Sequence, residues 1–237
     1  MSSTLLTSID TVCAVSWTIT YAAVIRRGFK DKSFGMPITA LSANISWEAS
    51  YAFFYEPFSD YLHKISIIWF FADVPIAVQC FLYGATDFDD PFIKRYFKLI
   101  FSSALLMAFP LLYVSFYEFH DSGGVYNGFG INFMMSVLFV AMLLRRGNVS
   151  GQSMYVAVFK WFGTLFAYLY LAVQATTDPA HPWPKATFVQ DVIMHRTYPL
   201  TPMIHFLYLF TFVMDALYIL LLYRKLKESN LDPWRRF

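Results

Sequence analysis

Met36-Pro37-Ile38-Thr39-Ala40-Leu41-Ser42-Ala43-Asn44-Ile45-Ser46-Trp47-Glu48-Ala49-Ser50-Tyr51-Ala52-Phe53-Phe54-Tyr55 decides how this chain is read. Twenty helical residues rise ~30 Å, the thickness of a bilayer's hydrocarbon core. A carboxyl group, Glu48, sits well inside this apolar run. An ionised, unpaired carboxylate in hydrocarbon costs several kcal/mol, so such a group is protonated, paired or turned toward a cavity. Residues three and four apart share a helix face, which puts Asn44, Glu48, Tyr51 and Tyr55 on one polar and aromatic stripe. A lipid-facing surface does not tolerate that stripe.

The rest of the chain fits a membrane setting. Of 237 residues, 57% are hydrophobic and 14% charged, about half the charge of an ordinary soluble domain. One polytopic domain over 1–237 is expected. The net charge of +2 is too small to imply a nucleic-acid partner. Cys13 and Cys80 both fall in apolar runs and read as buried thiols. No Lys or Arg precedes the first apolar run, so a cleavable signal is not expected.

Cutting at charge clusters leaves seven apolar runs: Ile9–Ile25, Met36–Tyr55, Ile65–Tyr83, Leu99–Glu118, Tyr126–Leu144, Met154–Gln174 and Pro199–Tyr223. The expectation is an all-α membrane protein, a seven-transmembrane-helix bundle whose first span is short. Fourteen Lys and Arg fall in the loops after spans one, three and five and in the tail, against three on the other side. The positive-inside rule therefore puts the N-terminus outside or in a lumen and the C-terminus in the cytoplasm. Asn148-Val149-Ser150 is a glycosylation sequon on the cytoplasmic side, and is expected to stay bare. Lys160, about two turns into span six, reads as a snorkelling lysine. The proline-dense stretch 175–198 reads as a stiff luminal loop, and its His181 and His195 lack the partners of a metal site.

Three acids lie inside spans: Glu48, Asp73 and Asp215. Tyr208, Thr211, Asp215 and Tyr218 share a face of span seven, and Trp69, Asp73 and Ile76 a face of span three. Glu48 and Asp215 lie ~18 and ~12 Å from the inner ends of their helices, so one mid-membrane cavity is within reach of both. Asp73 precedes Val74-Pro75, where a proline frees a carbonyl, so packing competes with chemistry as its role. Burial disfavours a carboxylate, and a neutral acid among aromatic faces suits proton-triggered carbocation chemistry. A proton-coupled carrier also accounts for seven spans with buried acids. A retinal receptor does not, because span seven carries no lysine for a Schiff base.

Asn44-Ile45-Ser46-Trp47-Glu48 in the second of seven spans, Asp73 in the third, Asp215 in the seventh and the tail Asp232-Pro233-Trp234-Arg235-Arg236-Phe237 resemble the small integral-membrane terpene cyclases of fungal meroterpenoid and indole-diterpene (paxilline-type) biosynthesis. The tail departs in one place, since the family more often reads Asn-Pro-Trp. The resemblance implies that Glu48 and Asp215 are the essential acids. One of them protonates an epoxide or alkene of a prenylated, farnesyl or geranylgeranyl, substrate, and the cation then closes rings until a proton is lost. Asp73, Asn44, Trp47, Trp69, Tyr51, Tyr208 and Tyr218 are candidate supporting residues. The resemblance implies no metal, no other cofactor and an endoplasmic-reticulum membrane. Asp87-Phe88-Asp89-Asp90 spells the acid motif of soluble class II terpene cyclases, but it falls between spans three and four beside Pro91, Lys94 and Arg95. A solvated acid there is ionised at neutral pH and a poor proton donor.

Overall fold

A computed structural model describes residues 3–55, 60–177 and 198–237. His181 and His195 lie outside the described residues. Seven α-helices carry the fold: α1 Ser3–Asp31, α2 Ile38–Ala49, α3 Asp60–Tyr83, α4 Pro91–Glu118, α5 Val125–Arg146, α6 Met154–Thr177 and α7 Pro202–Glu228. No strand occurs among the described residues. Six of the seven are long and apolar enough to cross a membrane, and α2 is the one that is not.

That is the first correction to the sequence reading. The expected twenty-residue span Met36–Tyr55 is α-helical over 12 residues only and continues as a π-turn, Ser50–Phe54. Ser46 Oγ bonds the carbonyl of Ser42, and Ser50 Oγ bonds that of Ser46, at 2.7 and 2.8 Å. Hydroxyls that bond back to the preceding turn loosen a helix, and the wider turn begins at the end of this ladder. The second correction concerns α1, expected to be short and in fact 29 residues long. Charges at a helix end do not stop the helix. Lys30 lies in the last turn of α1, and Arg145 and Arg146 in that of α5, where cations suit the carbonyl end of the dipole.

Helix ends follow local chemistry. Asp90 caps α4 by accepting from Ile93 N at 2.9 Å, with Pro91 at the first helical position. Gly147, at φ +61°, closes α5 with its N–H on Leu143 O. Gly151, at φ +71°, lets the α5–α6 connection lie against the α1–α2 connection, since a Cβ there would stand 2.7 Å from Phe34 O.

The principal packing partners form a ring in the order α1, α3, α2, α5, α7, α6 and back to α1, with α4 laid outside against α2. Buried Tyr21, Ile76, Phe139, Tyr218 and Leu222 belong to the main apolar cluster. Outward faces carry many large apolar side chains. Leu106, Met107 and Leu111 of α4 are 75%, 72% and 69% exposed, which water disfavours and lipid does not.

The basic segments gather at one end of the bundle. Asp31 takes Arg27 Nε at 2.8 Å, Arg236 at 2.9 Å and Gly151 N at 2.9 Å. Asp87 pairs with Arg145 and, at 2.8 Å, with Arg146. The chain end is tied down here too, with Trp234 and Phe237 packed on Tyr155. Three residues of Asp87-Phe88-Asp89-Asp90 have structural roles, and Asp89 is exposed. Asp87 is an ion-pair anchor, Phe88 lies under the Arg145 guanidinium at 4.4 Å, and Asp90 is a helix cap.

Candidate active site

α2 turns Asn44 and Glu48 toward α1 and α3. Asn44 Nδ2 donates to Asp73 Oδ2 at 2.8 Å and to the Tyr21 hydroxyl at 2.7 Å, joining three helices through one amide. Glu48 is 2% exposed and Asp73 fully buried. The two carboxyls are near enough to act on each other electrostatically, and Ser66 of α3 faces Glu48. Glu48 Oε2 and Asp73 Oδ1 accept no hydrogen bond, and neither acid belongs to an ion pair among the described residues. Trp69, one turn before Asp73, stacks on Tyr21 with centroids 6.2 Å apart, and Trp17 lies 6.5 Å beyond it. Gly163 of α6 makes room for Trp17, since a Cβ there would meet the indole at 2.7 Å. Two carboxyls against an aromatic wall are the result.

The third intramembrane acid is in a different environment. Lys160 Nζ lies 2.8 Å from both oxygens of Asp215 and 2.6 Å from Ser136 Oγ. Lys160 is fully buried and Asp215 is 1% exposed. Ser136 Oγ donates onward to Asn132 O at 2.8 Å, and Asn132 Nδ2 donates to Thr164 Oγ1 at 2.7 Å. The snorkelling reading of Lys160 is therefore wrong. So is the picture of Asp215 as an unpaired neutral acid, because a buried ammonium requires an anion and both Asp215 oxygens lie 2.8 Å from it. Only a shared depth was legible in the sequence. Lys160 lies six residues from Met154 and Asp215 eight from Tyr223, which is ~9 and ~12 Å from the same end.

Both clusters back onto one cavity of about 10 Å³ inside the ring, lined by Trp17, Tyr21, Ile76, Met135, Phe139 and Lys160, among others. Neither Glu48 nor Asp215 is in its lining. They reach it through partners: Tyr21, bonded to the Asn44–Asp73 pair, and Lys160, bonded to Asp215. The sequence offered no pointer to Tyr21, which lies in a run of small and β-branched residues with no unusual spacing.

Other candidates are distributed more widely. Trp47 packs on Tyr51 at 4.6 Å, and Tyr51 donates to Asp121 O at 2.9 Å, away from Glu48. Glu48, Tyr51 and Tyr55 of the stripe are buried and Asn44 is half-buried, and the stripe serves two places. Asp121 itself was missed. Fully buried, it accepts from Tyr126 N, Asn127 N and Tyr198 OH at 3.1, 2.8 and 3.0 Å, and so joins the α4–α5 turn to the lead into α7. Burial and the neighbouring Asp121 push the Tyr198 phenol above its ordinary pKa, which keeps it a donor. Tyr208 stacks on Tyr168 at 3.9 Å, nearer this end. Tyr218 is buried and bonds Gln152 Oε1 at 2.9 Å. Cys13 and Cys80 are free and buried. Among the described residues no three His, Cys, Asp or Glu converge as metal ligands.

An apolar helical ring with buried acids beside stacked aromatics defines an integral membrane protein with an acid-bearing interior. The chain belongs to the Pyr4-like transmembrane terpene cyclases, whose family model matches residues 3–228. It is similar to asnovolin H synthase nvfL of Aspergillus novofumigatus, 25% identical over 74% of this chain and 73% of that one. It is also similar to the Pyr4-family terpene cyclase mfmH of Annulohypoxylon moriforme, 27% identical over 67% and 66%. Terpene cyclase ascF of Acremonium egyptiacum is 26% identical over 94% of this chain and 82% of its own. No solved structure matches the chain.

Proposed function

We propose that this membrane terpene cyclase starts its reaction by protonating an epoxide, or an alkene, of a prenylated substrate, with Glu48 as the donor. The observation that carries this is the state of Glu48. It is buried, its Oε2 is unpartnered and it is in no ion pair among the described residues, so no cation among them holds it as an anion. Transfer of the Glu48 proton to the epoxide oxygen breaks the C–O bond at the more substituted carbon. The nearest alkene attacks that carbon, a C–C bond forms, and the charge passes along the chain. Loss of a proton from a carbon beside the last cation leaves an alkene and a new hydroxyl, with the mass unchanged. Trp17, Tyr21 and Trp69 offer faces that stabilise cations without adding to them.

Asp215 is the second required carboxyl, held by Lys160, and Asp73 supports Glu48. A cavity of about 10 Å³ holds roughly one water, so a farnesyl or geranylgeranyl chain is admitted by rotation of the side chains that line it. In this reading the bundle crosses the membrane seven times, α2 included, with its N-terminus luminal and its basic end cytoplasmic. The endoplasmic reticulum is the expected membrane. A proton-coupled carrier has no comparable support, given the family to which the chain belongs.

The test is incubation of membranes containing the chain with a panel of epoxidised prenylated compounds. Mass spectrometry should find a product of unchanged mass and altered retention time. Glu48→Gln should lower turnover by at least about 100-fold while the protein still inserts and accumulates. A Glu48→Gln protein that kept most of its turnover would remove Glu48 as the donor.

A further inference from the structure

The cavity has two unlike walls. On one stand Trp17 and Tyr21, continued by Trp69, and on another the stem of Lys160, whose ammonium lies just behind the wall on Asp215 and Ser136. Both oxygens of Asp215 are occupied by the Lys160 ammonium, which leaves Asp215 as an acceptor and not as a group with an O–H to give. Asp215 also lies behind Lys160, outside the cavity lining. Glu48 is outside that lining as well, but an acid that gives up a proton does not have both its oxygens taken by an ammonium, as Asp215 does.

We propose that the functional group on this side of the site is the Lys160–Asp215 ion pair seated on Ser136, with Lys160 facing the substrate and Asp215 a positioning residue that acts through it. The inference deepens the proposed cyclase reading and rests on it. An ammonium carries three N–H donors. All three are engaged, one by Ser136 and the others by the two Asp215 oxygens, so an oxygen entering the cavity is bound by taking over one of the N–H groups now given to Asp215. The ligand it recognises is an oxygen acceptor on the prenylated substrate: the epoxide, the hydroxyl formed from it, or a head-group carbonyl. The same charge repels a carbocation, so positive charge developing on the polyene is confined to the aromatic wall. Lys160 thus gives the cavity a polar pole, and the direction in which the substrate lies follows from it.

The competing reading is that the pair only fastens α6 to α7. Four forms of the whole chain separate the two: parent, Lys160→Met, Asp215→Asn and the double variant, each solubilised in detergent and assayed with an epoxidised prenylated substrate that the parent converts. Unfolding temperature is recorded alongside. Each single variant should lose stability, because it strands a buried charge, and should lose about 100-fold or more in kcat/KM. The double variant strands none, so its unfolding temperature should return to within a few degrees of the parent. Its turnover should stay about as low as either single, since two parts of one unit are lost only once. A double variant that regained turnover together with stability would reduce the pair to a fastener and overturn the proposal. So would losses that multiply to about 10,000-fold in the double, or a Lys160→Met protein as active as the parent. If the singles do not accumulate, the double decides alone, and its failure to accumulate also counts against the proposal. Glu48→Gln is run in parallel. Activity there sinks proton initiation by Glu48, and the four-way comparison still judges the ion pair.

Discussion

Glu48, Asp73 and Asp215 share a chemistry and differ in neighbours. Glu48 has an unpartnered oxygen, Asp73 accepts one hydrogen bond from Asn44, and Asp215 is held on both oxygens by Lys160. Asp73→Asn tests the middle case, because an asparagine oxygen accepts the Asn44 donor as well as a carboxylate does. If Asp73 supports Glu48 through its carboxyl chemistry, turnover per mole of folded protein should fall by about 10- to 100-fold with abundance unchanged. Full turnover in that variant would make Asp73 a packing residue. The positions of all three acids were legible in the sequence, since a carboxyl in an apolar run stands out alone. Which of them has a cation beside it was not, because Lys160 and Asp215 are 55 positions apart.

Elements show where polar groups do structural rather than chemical work. Asp121 supplies acceptors for two N–H groups at the start of α5 and for Tyr198, and its carbonyl holds Tyr51. Asp121→Ala should cost roughly 1–3 kcal/mol per stranded group, read as a lower unfolding temperature on heating in detergent. An unchanged temperature would show that other groups satisfy these donors. On α6, Gly163→Ala places a methyl 2.7 Å from the Trp17 indole. It should destabilise by about 1–3 kcal/mol and displace Trp17 toward the cavity, altering the product ratio on prenyl chains of different length. An identical product profile would exclude Trp17 as a wall of the reacting space. The short α2 belongs to this scale as well. Its length in the sequence promised a full span, but the hydroxyl ladder Ser42–Ser46–Ser50 and the π-turn are consequences of side chains bonding backwards along the helix.

Across the whole molecule, the basic end is a clasp. Asp31 joins the end of α1, the α5–α6 connection and Arg236 of the tail, while Trp234 and Phe237 lie on Tyr155. Asp31→Ala should release the tail, seen as faster proteolytic loss of a C-terminal tag, with turnover within about twofold because Asp31 does not line the cavity. A tail as resistant as the parent's would show that the aromatic contacts suffice. Asp89→Asn should leave the product unchanged, and a dead enzyme would return the tetrapeptide Asp87–Asp90 to the chemistry.

The sequence by itself determined a chain made of apolar helices, the acids buried in them, the side on which basic residues collect and the family it resembles, because each of these is carried by composition or by spacing within one helix. Only the tertiary structure decided that Lys160 is the partner of Asp215, that Tyr21 stands between the Asn44–Asp73 pair and the cavity, and that Asp121 organises the far end. Those are meetings between helices far apart in the chain. Spacing along one helix says which face a residue shares, and only the packing of several helices says what that face meets.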